Sequence, residues 1–514
     1  MVVMTSQRTI RVRYAGTVNF ASRLASTFTG LIFVTFISRR LSEEEFGLWS
    51  FFGVWLQYFI IPSGFVNYWS IRYMSRGFRV GKTSLILNSI LMFASIFIFL
   101  AISNYVLYSE ISLEYLSLII MVLTLQIPAE YLSSTLDALT TATFPEFIGY
   151  GGFIMEIVKL ISGFILVVYY RFGLVGALLS YVIAKYIYVL FLFLILRNEL
   201  NDGFNWSIAS KWIKLSWLPA YNMASGYIRS LETPIISLFI QFSDPSMPFR
   251  ALAHLKAVNT ICSVISYSGL LSFALYPKIL SGGSREDVES TLKYVLMFAI
   301  PMIAGVIVMS ESFLSLLRTE YAVSYQALYL GAIGVLPSLI SGIASSAVTG
   351  LERVDLLSES NFRDYFKSKL FTYPSISLVL NIIYIITIYI IFNGLSTVGD
   401  PTFIVLIWIL ISFFFNIILC LKFYFDVKSI MGVRFPWSNI IRYVIASMVM
   451  FIVLWFSGFG RIVSQHFLEV LKYSILGVFS GAFVYGLILF LWDPDFKSLM
   501  NYSISWIRNK FLMK

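Results

Sequence analysis

Residues 17–40 read TVNFASRLASTFTGLIFVTFISRR, residues 41–70 read LSEEEFGLWSFFGVWLQYFIIPSGFVNYWS, and residues 71–82 read IRYMSRGFRVGK. The first block is apolar and long enough to cross a bilayer as a helix, yet it holds Arg23. An acidic turn, Glu43–Glu45, follows it. The second block is again apolar and is predicted to break at Pro62, Ser63 and Gly64. A basic loop closes the unit. A cation in hydrocarbon and a mid-helix break are both costly in lipid, and both become tolerable where the helices line a water-filled cavity.

The rest of the chain has the same character. Of its 514 residues, 58% are apolar, 17% aromatic and only 12% charged. Soluble domains carry about 25% charge, so this is the composition of a polytopic membrane protein. A window of about 20 residues picks out about fourteen spans. They lie at about 17–38, 46–70, 83–105, 113–136, 146–170, 173–196, 213–240, 251–277, 292–314, 325–350, 371–392, 402–424, 440–459 and 471–492. The seventh, eighth and tenth are the most polar. The expected fold class is therefore all-α, with no loop long enough to house an extramembrane domain.

Lysines and arginines orient the spans. With the N-terminus inside, about 25 fall on cytoplasmic segments and about 7 outside. Both termini are expected to be cytoplasmic, and the basic start (Arg8, Arg11, Arg13) suits a signal anchor. The same asymmetry accounts for the net charge of +10 through anionic headgroups, with no nucleic acid. The sequons at Asn205 and Asn501 fall inside and are predicted to carry no glycan. Cys262 and Cys420 lie far apart in apolar stretches and read as buried side chains. With His254 and His466 they give no metal-ligand spacing, and no cofactor is expected.

Five cations remain within predicted spans: Arg23, Lys159, Lys185, Arg229 and Lys256. At about 2.5–3.5 kcal/mol each on insertion scales, they would cost about 15 kcal/mol if they faced lipid. Glu156 and Lys159 lie at i, i+3, as do Arg229 and Glu232, so each pair shares a helix face. Arg23 and Glu130 have no opposite charge nearby in sequence. Prolines at 62, 128, 219, 234, 277, 301 and 337 mark further hinges, whereas the last four spans are almost uncharged at their centres. The seventh span repeats the design of the first: a basic approach (Lys211, Lys214), then an arginine in a Ser-, Asn- and Gly-rich helix. Two halves of six spans plus an added pair are expected, with boundaries at 1–200, 201–430 and 431–514.

Three stretches resemble the Wzx-type polysaccharide flippases of the multidrug/oligosaccharidyl-lipid/polysaccharide (MOP) transporter superfamily. ISRRLSEEEFGLWSFF (Ile37–Phe52) is similar to that family's Arg-Leu-Leu-Gly-Pro-Glu-Glu-Phe-Gly pattern, with Leu-Ser-Glu in place of Leu-Gly-Pro. YPKILSGG (Tyr276–Gly283) is similar to its Ala-x-x-Pro-x-Leu-Ser. EYAVSYQALYLGAIGVLPSLISGIASSAVTGLERVD (Glu320–Asp355) resembles its Tyr-x-x-Ala-x-x-x-Leu run and its small-residue helix ending in Gly-x-x-Arg. The resemblance implies two lobes around a cavity that opens alternately to each side. It implies a cargo of lipid-linked oligosaccharide, a polyprenyl-phosphate or -pyrophosphate glycan, carried from the cytoplasmic to the outer leaflet of the cell membrane. The last pair of helices is expected beside a groove for the lipid tail.

On that basis Arg23 and Arg229 are the expected partners of the phosphate, because guanidinium binds it bidentately. Lys159, Lys185 and Lys256 would add positive field. Glu130, Glu156 and Glu232 are candidates for coupling to H+ or Na+. Trp55, Tyr58, Trp69 and Tyr227 are candidates for stacking on sugar rings. A monomer is expected. Two rivals are a drug/cation antiporter of the same superfamily, which should prefer an acidic cavity, and a membrane glycosyltransferase. The latter would use acidic residues such as Glu43–Glu45 and should carry a large outer loop or domain, for which this chain has no room.

Overall fold

The computed structural model describes residues 26, 29–30, 32–75, 77–110, 115–201, 203–214, 216–272, 275–280, 283–351, 368–498 and 500. Arg23 lies outside them. Among the described residues the protein is all-α, with no strand and with 11 helices long and apolar enough to cross a membrane. These are eleven of the expected spans, including the polar tenth. Physical reasons separate the other three. The first lies partly outside the described residues, with helix at 32–40 (α1). The seventh is interrupted. The eighth is a helix of 20 residues carrying Arg250, His254, Lys256, Asn259 and Thr260.

By contact the chain forms two units. One comprises Met1–Ala253 with Ile385–Gly399, the other His254–Tyr384 with Asp400–Lys514. The first unit holds α2 (Glu43–Ser75), α3 (Gly81–Glu110), α4 (Leu116–Thr143), α5 (Glu146–Gly163), α6 (Gly173–Leu196), the short amphipathic α7 (Trp206–Lys214) and α8 (Trp217–Ser230). The helix α9 (Met247–Ser266) begins in it. The second unit holds α10 (Arg285–Val308), α11 (Ser310–Leu317), α12 (Tyr325–Leu351), most of α13 (Lys369–Gly394), α14 (Pro401–Met431), α15 (Trp437–Ser457) and α16 (Phe467–Trp492).

The expected break in the second span does not occur. α2 runs through Pro62 as one helix of 33 residues. Proline removes one backbone hydrogen bond, and thirty-odd residues of continuous helix offset that local loss. The Pro-Ser-Gly turn serves packing instead: a Cβ on Gly64 would stand 2.6 Å from Met223 Cε of α8. The seventh span does break. α8 stops at Ser230, a single turn Glu232–Pro234 follows, and Ile235–Phe239 winds as π-helix. The fifth span also ends in π-helix, Phe164–Tyr169, which apolar periodicity does not signal.

Lipid tails are as apolar as leucine, so helices in a bilayer associate through close packing and interhelical hydrogen bonds. Gly47 of α2 supplies one close approach: a Cβ there would lie 1.8 Å from the Phe249 carbonyl oxygen at the start of α9. Toward the predicted cytoplasmic end, Trp69, Leu136, Leu196 and Trp212 form a buried cluster within the first unit. Asn205, of the first sequon, accepts a hydrogen bond from the Ile208 N–H at 3.2 Å and so caps α7.

The acidic turn has a structural task. Ser42 N–H donates to Glu45 Oε2 at 3.0 Å and Glu45 N–H to Ser42 Oγ at 3.1 Å, a capping box at the head of α2. Tyr115 Oη donates to Glu45 Oε1 at 2.9 Å, and burial together with that carboxylate pushes the phenol's pKa up. Gly173, in the left-handed region at φ 52°, brings the head of α6 beside the same carboxylate; a Cβ would lie 3.2 Å from Glu45 Oε1. Ser42→Ala is expected to cost about 1 kcal/mol, measured by thermal unfolding in detergent, with unchanged unfolding as the contrary result.

Candidate functional site: a charged helix seam and an apolar groove

In the first unit, α4 packs along α6 and α6 along α5. On α4, Glu130, Ser133 and Asp137 fall at i, i+3 and i+7 and share a face; on α6, Tyr181, Lys185 and Tyr188 do the same at i, i+4 and i+7. The two faces meet. Lys185 Nζ lies 3.0 Å from Glu130 Oε2, with the side chains only 13% and 15% exposed. Tyr181 Oη donates to Glu130 Oε1 at 2.8 Å, and Lys185 donates to Ser133 Oγ at 3.3 Å. Tyr188 Oη donates to Asp137 Oδ1. Glu130 thus gains from another helix the cation that its own neighbourhood in sequence lacks.

The second pair is local. Lys159 Nζ is 2.6 Å from Glu156 Oε1 on α5, one turn away as the i, i+3 spacing predicts. Thr29 Oγ1 donates to Glu156 Oε2 at 3.0 Å, and Lys159 lies 5.2 Å from the centroid of the Phe33 ring. Phe33 sits against the α5 end, where a Cβ on Gly163 would be 2.6 Å from its ring. Two lysines therefore face three carboxylates, and both lysine charges are compensated where they sit. A buried carboxylate paired in this way loses its partner at high cost, and protonating it releases the lysine.

The remaining candidates lie apart from this seam. Arg229, half-buried, ends α8, and Glu232 opens the turn beyond the interruption at Leu231. Lys256 lies within α9 rather than at its end, half-buried, with its carbonyl accepting from Thr260 Oγ1 at 2.7 Å. Of the four aromatic candidates, Tyr58 and Tyr227 line one cavity of about 300 Å³ between α2 and α8, with Phe65 and Met223. Tyr58 Oη is hydrogen-bonded to Ser230 Oγ at 2.9 Å. Trp55 is turned to α3, donating to Ser103 Oγ at 3.0 Å, and Trp69 is buried in the core cluster.

The second unit holds a groove of about 370 Å³ between α10, α15 and α16. Pro301, Gly305, Met450, Gly477, Gly481 and Phe496 are among its walls, and no charged residue lines it among the described residues. Glycines on α16 hollow the wall. The Tyr485 hydroxyl there is spent on the Met297 carbonyl at 2.6 Å. Among the described residues no cluster of His, Cys, Asp or Glu fits a metal ion.

No family model matches the chain, and no curated protein matches it. Solved structures do. The lipid II flippase MurJ in an inward closed conformation superposes with a TM-score of 0.67 at 16% identity, over 93% of this chain and 99% of that one. An inward-facing multidrug resistance MATE family transporter of the MOP superfamily gives 0.56 at 13% identity, over 79% and 95%. At these identities the likeness is one of fold. The chain is a multi-pass, all-α membrane protein with the fold of the MOP-superfamily transporters.

Proposed function

We propose that this protein moves a lipid-linked oligosaccharide, a polyprenyl-phosphate or -pyrophosphate glycan, from the cytoplasmic to the outer leaflet of the cell membrane by alternating access. The transfer would serve assembly of a cell-surface polysaccharide or glycoprotein. The observation that supports the proposal is the groove in the second unit, whose described walls on α10, α15 and α16 are apolar and suited to an isoprenoid chain. A polar headgroup cannot cross hydrocarbon alone, so a carrier that holds the tail in an apolar groove also needs cations for the phosphate.

Arg23 and Arg229 are assigned to that anion. Lys159, Lys185 and Lys256 join them as the headgroup displaces their carboxylate or protein partners. Glu130, Glu156 and Glu232 are assigned to coupling, since protonation or cation binding at Glu130 or Glu156 would release the paired lysine. Lobes 1–200 and 201–430, the added pair in 431–514, cytoplasmic termini and a monomer complete the proposal.

The carboxylates Glu130, Asp137 and Glu156 favour a second function, antiport of a cationic drug, because acids in a low-dielectric seam can also hold a cation. Ligand-dependent thermal unfolding separates the two. A polyprenyl-pyrophosphate glycan at a hundred times its Kd should stabilise the purified protein by about 2.7 kcal/mol. Stabilisation by a cationic dye and none by the glycan lipid would favour the antiporter and overturn the flippase.

A further inference from the structure

The end of α16 is tied down by the residues that follow it. The Asp493 N–H closes the helix on the Leu489 carbonyl at 2.7 Å, and residues 494–498 form a further helical turn. The Asp493 carboxylate, 1% exposed, accepts from the Phe496 N–H at 2.9 Å through Oδ1. Its Oδ2 lies 3.5 Å from Arg442 Nη1 of α15. Asp495 reaches two further helices. Its Oδ1 is 2.9 Å from Lys293 Nζ of α10, and its Oδ2 accepts from Asn439 Nδ2 of α15 at 3.2 Å.

These bonds place one ring. Phe496 is part of the groove wall, packed with the cluster of Met297, Met309, Met450 and Leu454. The ring lies against α16 at Gly486, where a Cβ would be in ordinary contact with Phe496 Cζ at 3.9 Å. The groove's lining is therefore completed at this point by residues beyond the end of α16, and those residues are held by ion pairs. Of the four charged groups in the tie, Asp495 and Arg442 are the more exposed, at 38% and 35%, with Lys293 at 19% and Asp493 buried.

We propose that residues 493–498 are a latch on the groove. Bridged to Lys293, Asn439 and Arg442, the segment seats Phe496 in the wall and closes the groove there. When Asp495 leaves Lys293, the ring withdraws and an isoprenoid chain passes. The latch rests on the assignment of the groove to a lipid tail. It adds that tail access is controlled by a polar tie beyond the apolar lining.

The test uses the full-length protein in nanodiscs with a polyprenyl phosphate carrying a photoreactive group in its tail. Labelling of Met302 and Met309 is followed by mass spectrometry. Asp495→Asn, which keeps the shape and removes the charge, should raise the initial rate of groove labelling about fivefold, the scale of one partly exposed ion pair. The exchanged pair Lys293→Asp with Asp495→Lys should return the rate to that of the parent protein, and Phe496→Ala should raise it regardless of the pair. Labelling at the parent rate in Asp495→Asn, or no recovery in the exchanged pair, would overturn the latch while leaving the groove assignment intact. No labelling of these methionines in any variant would overturn the groove assignment and the latch with it.

Discussion

On the proposed assignment of Arg229 to the cargo phosphate, Arg229→Ala is expected to reduce transport of a lipid-linked glycan about a hundredfold, the loss of a charge-assisted bidentate contact. Arg229 is half-buried at the last turn of α8, where the seventh span is interrupted. Arg229→Lys keeps the charge and loses the fork, so its rate should fall between those of the parent and the alanine variant. Arg23→Ala should behave like Arg229→Ala. The measurement is complementation of a flippase-null strain at normal expression, with membrane insertion checked by immunoblot. Full complementation by both alanine variants would remove arginine from the mechanism.

The second large effect is on stability. Lys185→Met leaves the Glu130 carboxylate on Tyr181 alone, in a seam where it is 15% exposed. Stranding one partner of a buried pair costs about 3–5 kcal/mol; the residual exposure here brings the expectation to about 3 kcal/mol. Adding Glu130→Gln removes the stranded charge, so the double variant should recover most of the loss. Unfolding in mixed micelles checks both. Equal destabilisation in the single and double variants would mean that Lys185 matters for its packing and not for its charge.

Much of this could be read from the sequence where the physics is local. Apolar length marks eleven of the spans directly, and the eighth was polar for the same residues that set its helix apart. The Glu156–Lys159 pair follows from one helical turn. What needed the structure was the meeting of helices. No local rule joins Glu130 to Lys185, and Asp137 was missed, although its i+7 spacing from Glu130 and the matching Tyr181–Lys185–Tyr188 stripe could have flagged a paired seam.

Proline was overread at α2. Pro62 and Gly64 suggested a break, while the helix continues and uses the glycine to admit Met223. In the seventh span, with Pro234 just beyond Leu231, the break is real. The acidic turn Glu43–Glu45 was legible as a turn but not as a capping box, even though Ser42-x-x-Glu45 is the pattern for one. The tie made by Asp493 and Asp495 was hidden because charges after the last span read as ordinary cytoplasmic tail.

The membrane-embedded cations are proposed to serve a phosphate headgroup. Proteoliposomes with a fluorescent polyprenyl-pyrophosphate glycan in both leaflets, quenched from outside by dithionite, measure this directly. Protein-dependent exchange should be seen for the pyrophosphate glycan and be lost for a neutral glycan on the same isoprenoid chain. Equal exchange of the charged and neutral lipids, or exchange of neither, would contradict it.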